Sequence, residues 1–218
     1  MFEQKWKALK RVMTMTGLAA TAILALSLTP ASALAAPVIL VMGDSLSAEY
    51  GIARGTGWVS LLEDRLKAQK FDYSVVNASI SGETTSGGKT RLPALLREHK
   101  PAVVIVELGA NDALRGLSLL STQANLHAML KASREAGARS LVIGMRIPPN
   151  YGQQYTERFF QTFAGAAKEH KAGYVPFLLE QVVTRPEWFQ QDRIHPTAAA
   201  QPAMLETVWP QLRSLLKR

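Results

Sequence analysis

Val38-Ile39-Leu40-Val41-Met42 runs without a break into Gly43-Asp44-Ser45-Leu46-Ser47. The five apolar residues do not alternate with polar ones, which is the pattern of a strand buried on both faces. Tyr73–Ala78, Val103–Leu108 and Leu141–Met145 repeat it, and Tyr174–Phe177 is a weaker fifth run. The segments between them carry a helical period. Trp58–Gln69 places Val59, Leu62 and Leu66 three and four residues apart, and Leu119–Ala136 does the same before stopping at Gly137, a natural C-cap. Gln153–His170 and Thr197–Leu216 complete the series. Strands buried on both faces and alternating with helices predict an α/β protein, a three-layer α/β/α sandwich around a central parallel five-stranded sheet. Ligands of such sheets sit at the carboxyl ends of the strands, so chemistry is to be sought just after each apolar run.

The 218 residues suit one domain, with 47% hydrophobic and 19% charged residues excluding a disordered chain. The first 35 residues stand apart. MFEQKWKALKR is basic, MTMTGLAATAILALSLT is apolar, and Ala31, Ala33 and Ala35 give A-x-A spacing after Pro30. That order predicts a secretory signal over 1–35 and a catalytic domain over 36–218, hence export to the periplasm or beyond. An uncleaved membrane anchor is the competing reading, and the run is short for a span of roughly 20 residues. The leader holds +3 of the formal charge of +8, leaving +5 scattered over the rest, which gives nucleic-acid binding little support. With no cysteine there is no disulfide, no thiolate metal site and no lipid-anchored form.

Four short motifs follow the strands. Gly43–Ser47 puts Ser45 on a strand-to-helix turn, where a hydroxyl is exposed beside its own N–H; an ordinary Gly-Asp-Ser turn reads the same way. Asn77–Gly82 ends in a glycine that lets backbone approach a ligand. Glu107–Asp112 offers Asn111, an amide where an oxyanion forms or simply an Asn-Asp turn. Asp192-Arg193-Ile194-His195-Pro196 sets an acid and a histidine three apart on one turn, so the carboxylate can hold the imidazole tautomer while the other nitrogen meets Ser45. A helix-starting turn with Pro196 at its first position is the alternative. The other histidines are poorer candidates for the base: His99 and His170 read as solvated helix ends, and His127 as a packing or surface residue within a helix.

Taken together, GDSLS, the Gly82 loop, GAND and DRIHP resemble the SGNH-hydrolase (GDSL lipase/esterase) superfamily. The stretches GDSLSAEYG, NASISGETTSGG, RLPALL, LGANDALRG, PPNYG and IHPTAAAQP look like its thioesterase I/protease I/lysophospholipase group. The resemblance implies a single flavodoxin-like domain and a serine hydrolase cleaving acyl esters and thioesters. It implies Ser45, Asp192 and His195 as triad and Ser45, Gly82 and Asn111 as oxyanion hole, with no metal and no cofactor. By the same resemblance the loop Arg146–Gly152 borders the acyl groove, making Asp44, Ile147, Pro148 and Tyr151 candidate substrate contacts. Ala110 and Glu83 depart from the Gly and Asp common in close relatives, which bears on chain-length preference. The implied partners are small acyl esters or thioesters, lysophospholipids at a membrane surface among them; a monomer is expected, although no residue pattern speaks to it.

Rival readings fare worse. Gly82–Thr90 ends in Gly-Lys-Thr but has five residues where a phosphate loop has four, and Glu83 would face the phosphates. Ser86–Lys89 matches S-x-x-K without the partner motifs of penicillin-binding proteins. Four dispersed histidines offer no ligand pair at metal-binding spacing. A non-catalytic exported binding module of the same fold is the remaining alternative.

Overall fold

The structure, a computed structural model, describes residues 36–217. The leader expected over 1–35 therefore lies outside the described residues. Five parallel strands, β1 (Val38–Gly43), β2 (Ser74–Asn77), β3 (Val103–Glu107), β4 (Arg139–Ile143) and β5 (Gly173–Val175), form one sheet in the order β2-β1-β3-β4-β5. Each of the five apolar runs thus overlaps a strand, with the ends displaced by a residue or two. Every residue of β3 is buried, as is β1 from Ile39 onward, so the centre of the sheet is covered on both faces. Each Val or Ile so covered contributes roughly 1.5–3 kcal/mol.

Among the described residues six helices accompany the sheet: α1 (Trp58–Ala68), α2 (Thr85–His99), α3 (Ala110–Leu114), α4 (Leu119–Glu135), α5 (Gln153–His170) and α6 (Gln201–Leu215). Four were legible from their period, but α2 and α3 were not. The segment of α2 contains Gly87, Gly88 and Pro93, poor helix formers all. Tertiary contacts override that propensity. The Thr84 side chain caps the Gly87 N–H, Thr85 gives its N–H and hydroxyl to Asp112 at 2.9 and 2.5 Å, and Leu92 and Leu96 enter the core. The last helix begins at Gln201, with a 3-10 turn over Ala198–Ala200 before it.

The segment after β1 also differs from expectation. It is a series of turns rather than a helix, and α1 starts only at Trp58. Glu49 holds this stretch by accepting from the N–H groups of Gly55 and Gly57 and from the Ser60 hydroxyl. His170, read as a solvated cap, is instead turned inward: its side chain is 9% exposed and its ring centroid lies 5.1 Å from that of His127. The last turn of α5 packs on α4 there.

Candidate active site

Strand order reverses beside β1, whose neighbours are β2 and β3, and a crevice opens at such a point. The loops that follow all five strands emerge at the same edge because the sheet is parallel. Ser45 lies just past β1, Gly82 past β2, Asn111 in the first turn of α3 past β3, and Asp192 and His195 in the long connection past β5.

Ser45 and His195, 150 residues apart in sequence, meet: the Ser45 hydroxyl is 2.9 Å from Nε2 of His195. On the other side of the ring, Nδ1 is 2.6 Å from Oδ2 of Asp192. The second carboxylate oxygen, Oδ1, accepts from the N–H groups of Ile194 and His195 at 2.9 and 3.0 Å. The His195 N–H, the Ile194 N–H and the imidazole together hold the Asp192 carboxyl down to about 2. Asp192 is therefore ionised at any working pH and fixes the ring so that Nε2 points at the serine.

The N–H groups of Ser45 and Gly82 donate to no partner among the described residues. Both are thus available to a ligand. Gly82 has φ +78 in a turn closed by the Glu83 N–H on the Ile80 carbonyl, a backbone state that favours glycine. Arg115 donates to the Gly82 carbonyl at 2.8 Å and steadies the turn. The Asn111 amide donates to Oδ2 of Asp44 and to the carbonyl of Glu83, each at 3.0 Å.

Beneath these groups lies a buried acidic pair. Glu107, the last residue of β3, accepts from the Ser47 hydroxyl at 2.7 Å and the Asp44 N–H at 3.3 Å. Gly43 makes this possible, since a Cβ there would stand 2.7 Å from the Glu107 carboxylate. Burial pushes Asp44 up to about 6, against the pull of the Leu46 N–H, the His195 charge and the Asn111 amide. Burial first, then the Asp44 charge, pushes Glu107 well above the usual range. Two carboxylates of one site, Asp44 and Asp192, are driven in opposite directions by opposite environments.

Of the four candidate substrate contacts, Asp44 and Ile147 are buried. Asp44 is 1% exposed, with its oxygens taken by Leu46 and Asn111, so it acts beneath the site; Ile147 packs into the core at 8% exposure. Pro148 and Tyr151 are exposed on the loop after β4. Four residues were missed from the sequence. Tyr50 lays its ring 4.4 Å from that of His195, and Gln190 ties the two loops by donating to the carbonyls of Tyr50 and Pro196. Glu107 and Arg115 act as described above. Only Glu107 carried a signal, a charged residue ending an otherwise apolar strand.

A serine hydroxyl on a carboxylate-oriented imidazole, beside free backbone donors, can perform acyl transfer. Comparison with known proteins agrees. The model of the GDSL-like lipase/acylhydrolase family matches residues 41–202. Esterase TesA of Pseudomonas aeruginosa is 50% identical over 182 residues, covering 84% of this chain and 90% of the relative. Thioesterase 1/protease 1/lysophospholipase L1 of Escherichia coli is 42% identical over 184 residues, 84% of this chain and 87% of its own. A crystal structure of TesA superposes with a TM-score of 0.80 at 50% identity, covering 82% of this chain and 99% of that one.

Proposed function

The chain belongs to the GDSL-like lipase/acylhydrolase family and is a serine esterase/thioesterase, and on that premise we propose how its residues divide the work. Ser45 attacks the acyl carbonyl and its proton passes to Nε2 of His195. The oxyanion so formed faces the N–H groups of Ser45 and Gly82 and the Asn111 amide. Asn111 reaches it by giving up the neutral Glu83 carbonyl, the weaker of its two acceptors, while Asp44 keeps hold of the other proton. Collapse expels the alcohol or thiol, protonated by His195, and leaves an acyl group on Ser45. Water, deprotonated by His195, then attacks the acyl-enzyme and frees the acid and the serine.

The observation that carries this assignment is the continuous line from Asp192 through His195 to Ser45, at 2.6 and 2.9 Å. It favours catalysis over a silent binding module, as do relatives named for esterase and thioesterase activity. Pro148 and Tyr151 border the acyl side, and a lysophospholipid approaching from a membrane surface is a substrate of the right chemistry, as one relative's name suggests. No helix among the described residues is long and apolar enough to cross a membrane. The basic, apolar and A-x-A order of residues 1–35 supports export, with cleavage near Ala33–Ala36.

Hydrolysis rates over p-nitrophenyl and acyl-CoA esters of increasing chain length, with fluorophosphonate labelling of Ser45, test the assignment. Labelling of wild type but not Ser45→Ala is expected; equal labelling of both would remove Ser45. N-terminal sequencing of envelope protein should begin close to Pro37, and intact Met1 in a washed membrane fraction would overturn export.

A further inference from the structure

The inward turn of His170 brings three metal-ligating atoms together, outside the catalytic residues. Nδ1 of His127, in the middle of α4, lies 3.0 Å from Nε2 of His170 and 3.3 Å from Oε1 of Glu169, on the last turn of α5. The same Glu169 oxygen is 3.9 Å from Nε2 of His170. A circle through three points so spaced has a radius of about 2.0 Å, the length of a Zn–N or Zn–O bond. An ion at or just off its centre stands at bonding distance from all three atoms.

Protons alone satisfy this triangle poorly. If His127 Nδ1 carries the hydrogen, it must divide it between two acceptors, His170 Nε2 and the Glu169 carboxylate. If His170 Nε2 carries one instead, the distant Glu169 oxygen gains little from it. A cation accepts all three lone pairs at once.

We propose that His127, Glu169 and His170 form a divalent transition-metal site that clamps the end of α5 to the middle of α4. Two imidazole nitrogens and one carboxylate oxygen suit borderline ions such as Zn²⁺, Co²⁺ or Ni²⁺ over Mg²⁺ or Ca²⁺. The Glu169 carboxylate is 68% exposed, so the remaining coordination positions open to solvent. The carbonyl end of α5 favours a cation, while Arg134, whose charge reaches His170, opposes one. No nucleophile of the catalytic site enters the cluster, so the ion's role is to join two helices. The clamp is native-state binding energy, hence stability. It also stiffens α4, whose Thr122 hydroxyl holds Asp112 at 3.2 Å, next to Asn111.

The full chain, stripped with chelator and desalted, is titrated with ZnCl₂ and CoCl₂ by calorimetry, visible absorption and thermal melting. One ion per chain is expected, with Co²⁺ ligand-field bands. Melting should rise by about 5–10 °C at a hundredfold excess over the dissociation constant. Glu169→Ala and His127→Ala should each weaken binding by about tenfold or more, and His195→Ala should leave it intact. Glu169 is exposed, so its variant remains folded even if His127→Ala does not, and both keep wild-type ester hydrolysis when folded. No saturable binding in wild type would overturn the site. So would unchanged binding in Glu169→Ala, or loss of binding in His195→Ala.

Discussion

His195 and His127 are each set against a carboxylate and one further group, yet the two clusters are built for different work. At His195 a single carboxylate takes Nδ1 at 2.6 Å and leaves Nε2 facing a hydroxyl at 2.9 Å, an arrangement with one proton to move and one path for it. At His127 the neighbours of Nδ1 among the described residues are a second imidazole and a carboxylate. The side chains are the same kind; what faces the ring nitrogen decides between proton transfer and ligation. The carboxylates differ likewise, for Asp192 is fixed by two backbone N–H groups while Glu169 stands in solvent.

The largest expected effect breaks the first cluster and spares the second. Ser45→Ala or His195→Ala should lower kcat by about 10⁴–10⁶, and the double variant should be little worse, because the two act as a unit. His127→Ala, folded and assayed beside them, should stay within about twofold of wild type, as expected of a side chain without a catalytic role. Full additivity of the two active-site losses, or a comparable loss at His127, would erase the distinction.

Asn111→Ala comes next. Loss of one oxyanion donor should lower kcat by about 10²–10³ with KM barely altered. A fall below tenfold, in protein that melts like wild type, would leave Asn111 as a turn residue only.

The buried acid beneath Asn111 is sharpened by pH. Asp44 has a folded-state value of about 6, raised above the ordinary 3.8 by burial. Its contribution is fully present below the unfolded value and is lost as pH rises through about 6. In Asp44→Asn that loss disappears, so the variant should gain on wild type by up to about 3 kcal/mol between pH 4 and pH 7. Denaturant unfolding at both pH values measures it, and a constant difference would show that burial does not raise Asp44 above its unfolded value.

The smallest effect is at Tyr50. An aromatic contact of about 0.5–1.5 kcal/mol with His195 should cost Tyr50→Ala no more than about tenfold in kcat/KM. A loss rivalling that of Asn111→Ala would make Tyr50 a direct participant.

Legibility followed how local each feature was. The five strands could be read because a parallel sheet covered on both faces demands unbroken apolar runs. Asp192 and His195 could be paired because three residues on one turn bring them together without help from the fold. Helix α2 could not, since Gly87, Gly88 and Pro93 argue against it and the contacts that win come from Asp112 and the core. The burial of Asp44 and Ile147 could not be read either, because burial is a property of the packed chain, not of a residue's neighbours in sequence.

By itself, then, the sequence determined the layers of the sandwich and the edge of the sheet where chemistry is to be sought, since each depends on residue type and short spacing, and it offered Ser45, Asp192 and His195 as candidates through their resemblance to a family's motifs. Only the tertiary structure decided that Asp44 and Glu107 lie beneath the site, that Tyr50 flanks the base, and that His127 meets His170 across 43 residues. Those contacts depend on how helices and loops far apart in the chain pack on the sheet, and no local period encodes that packing.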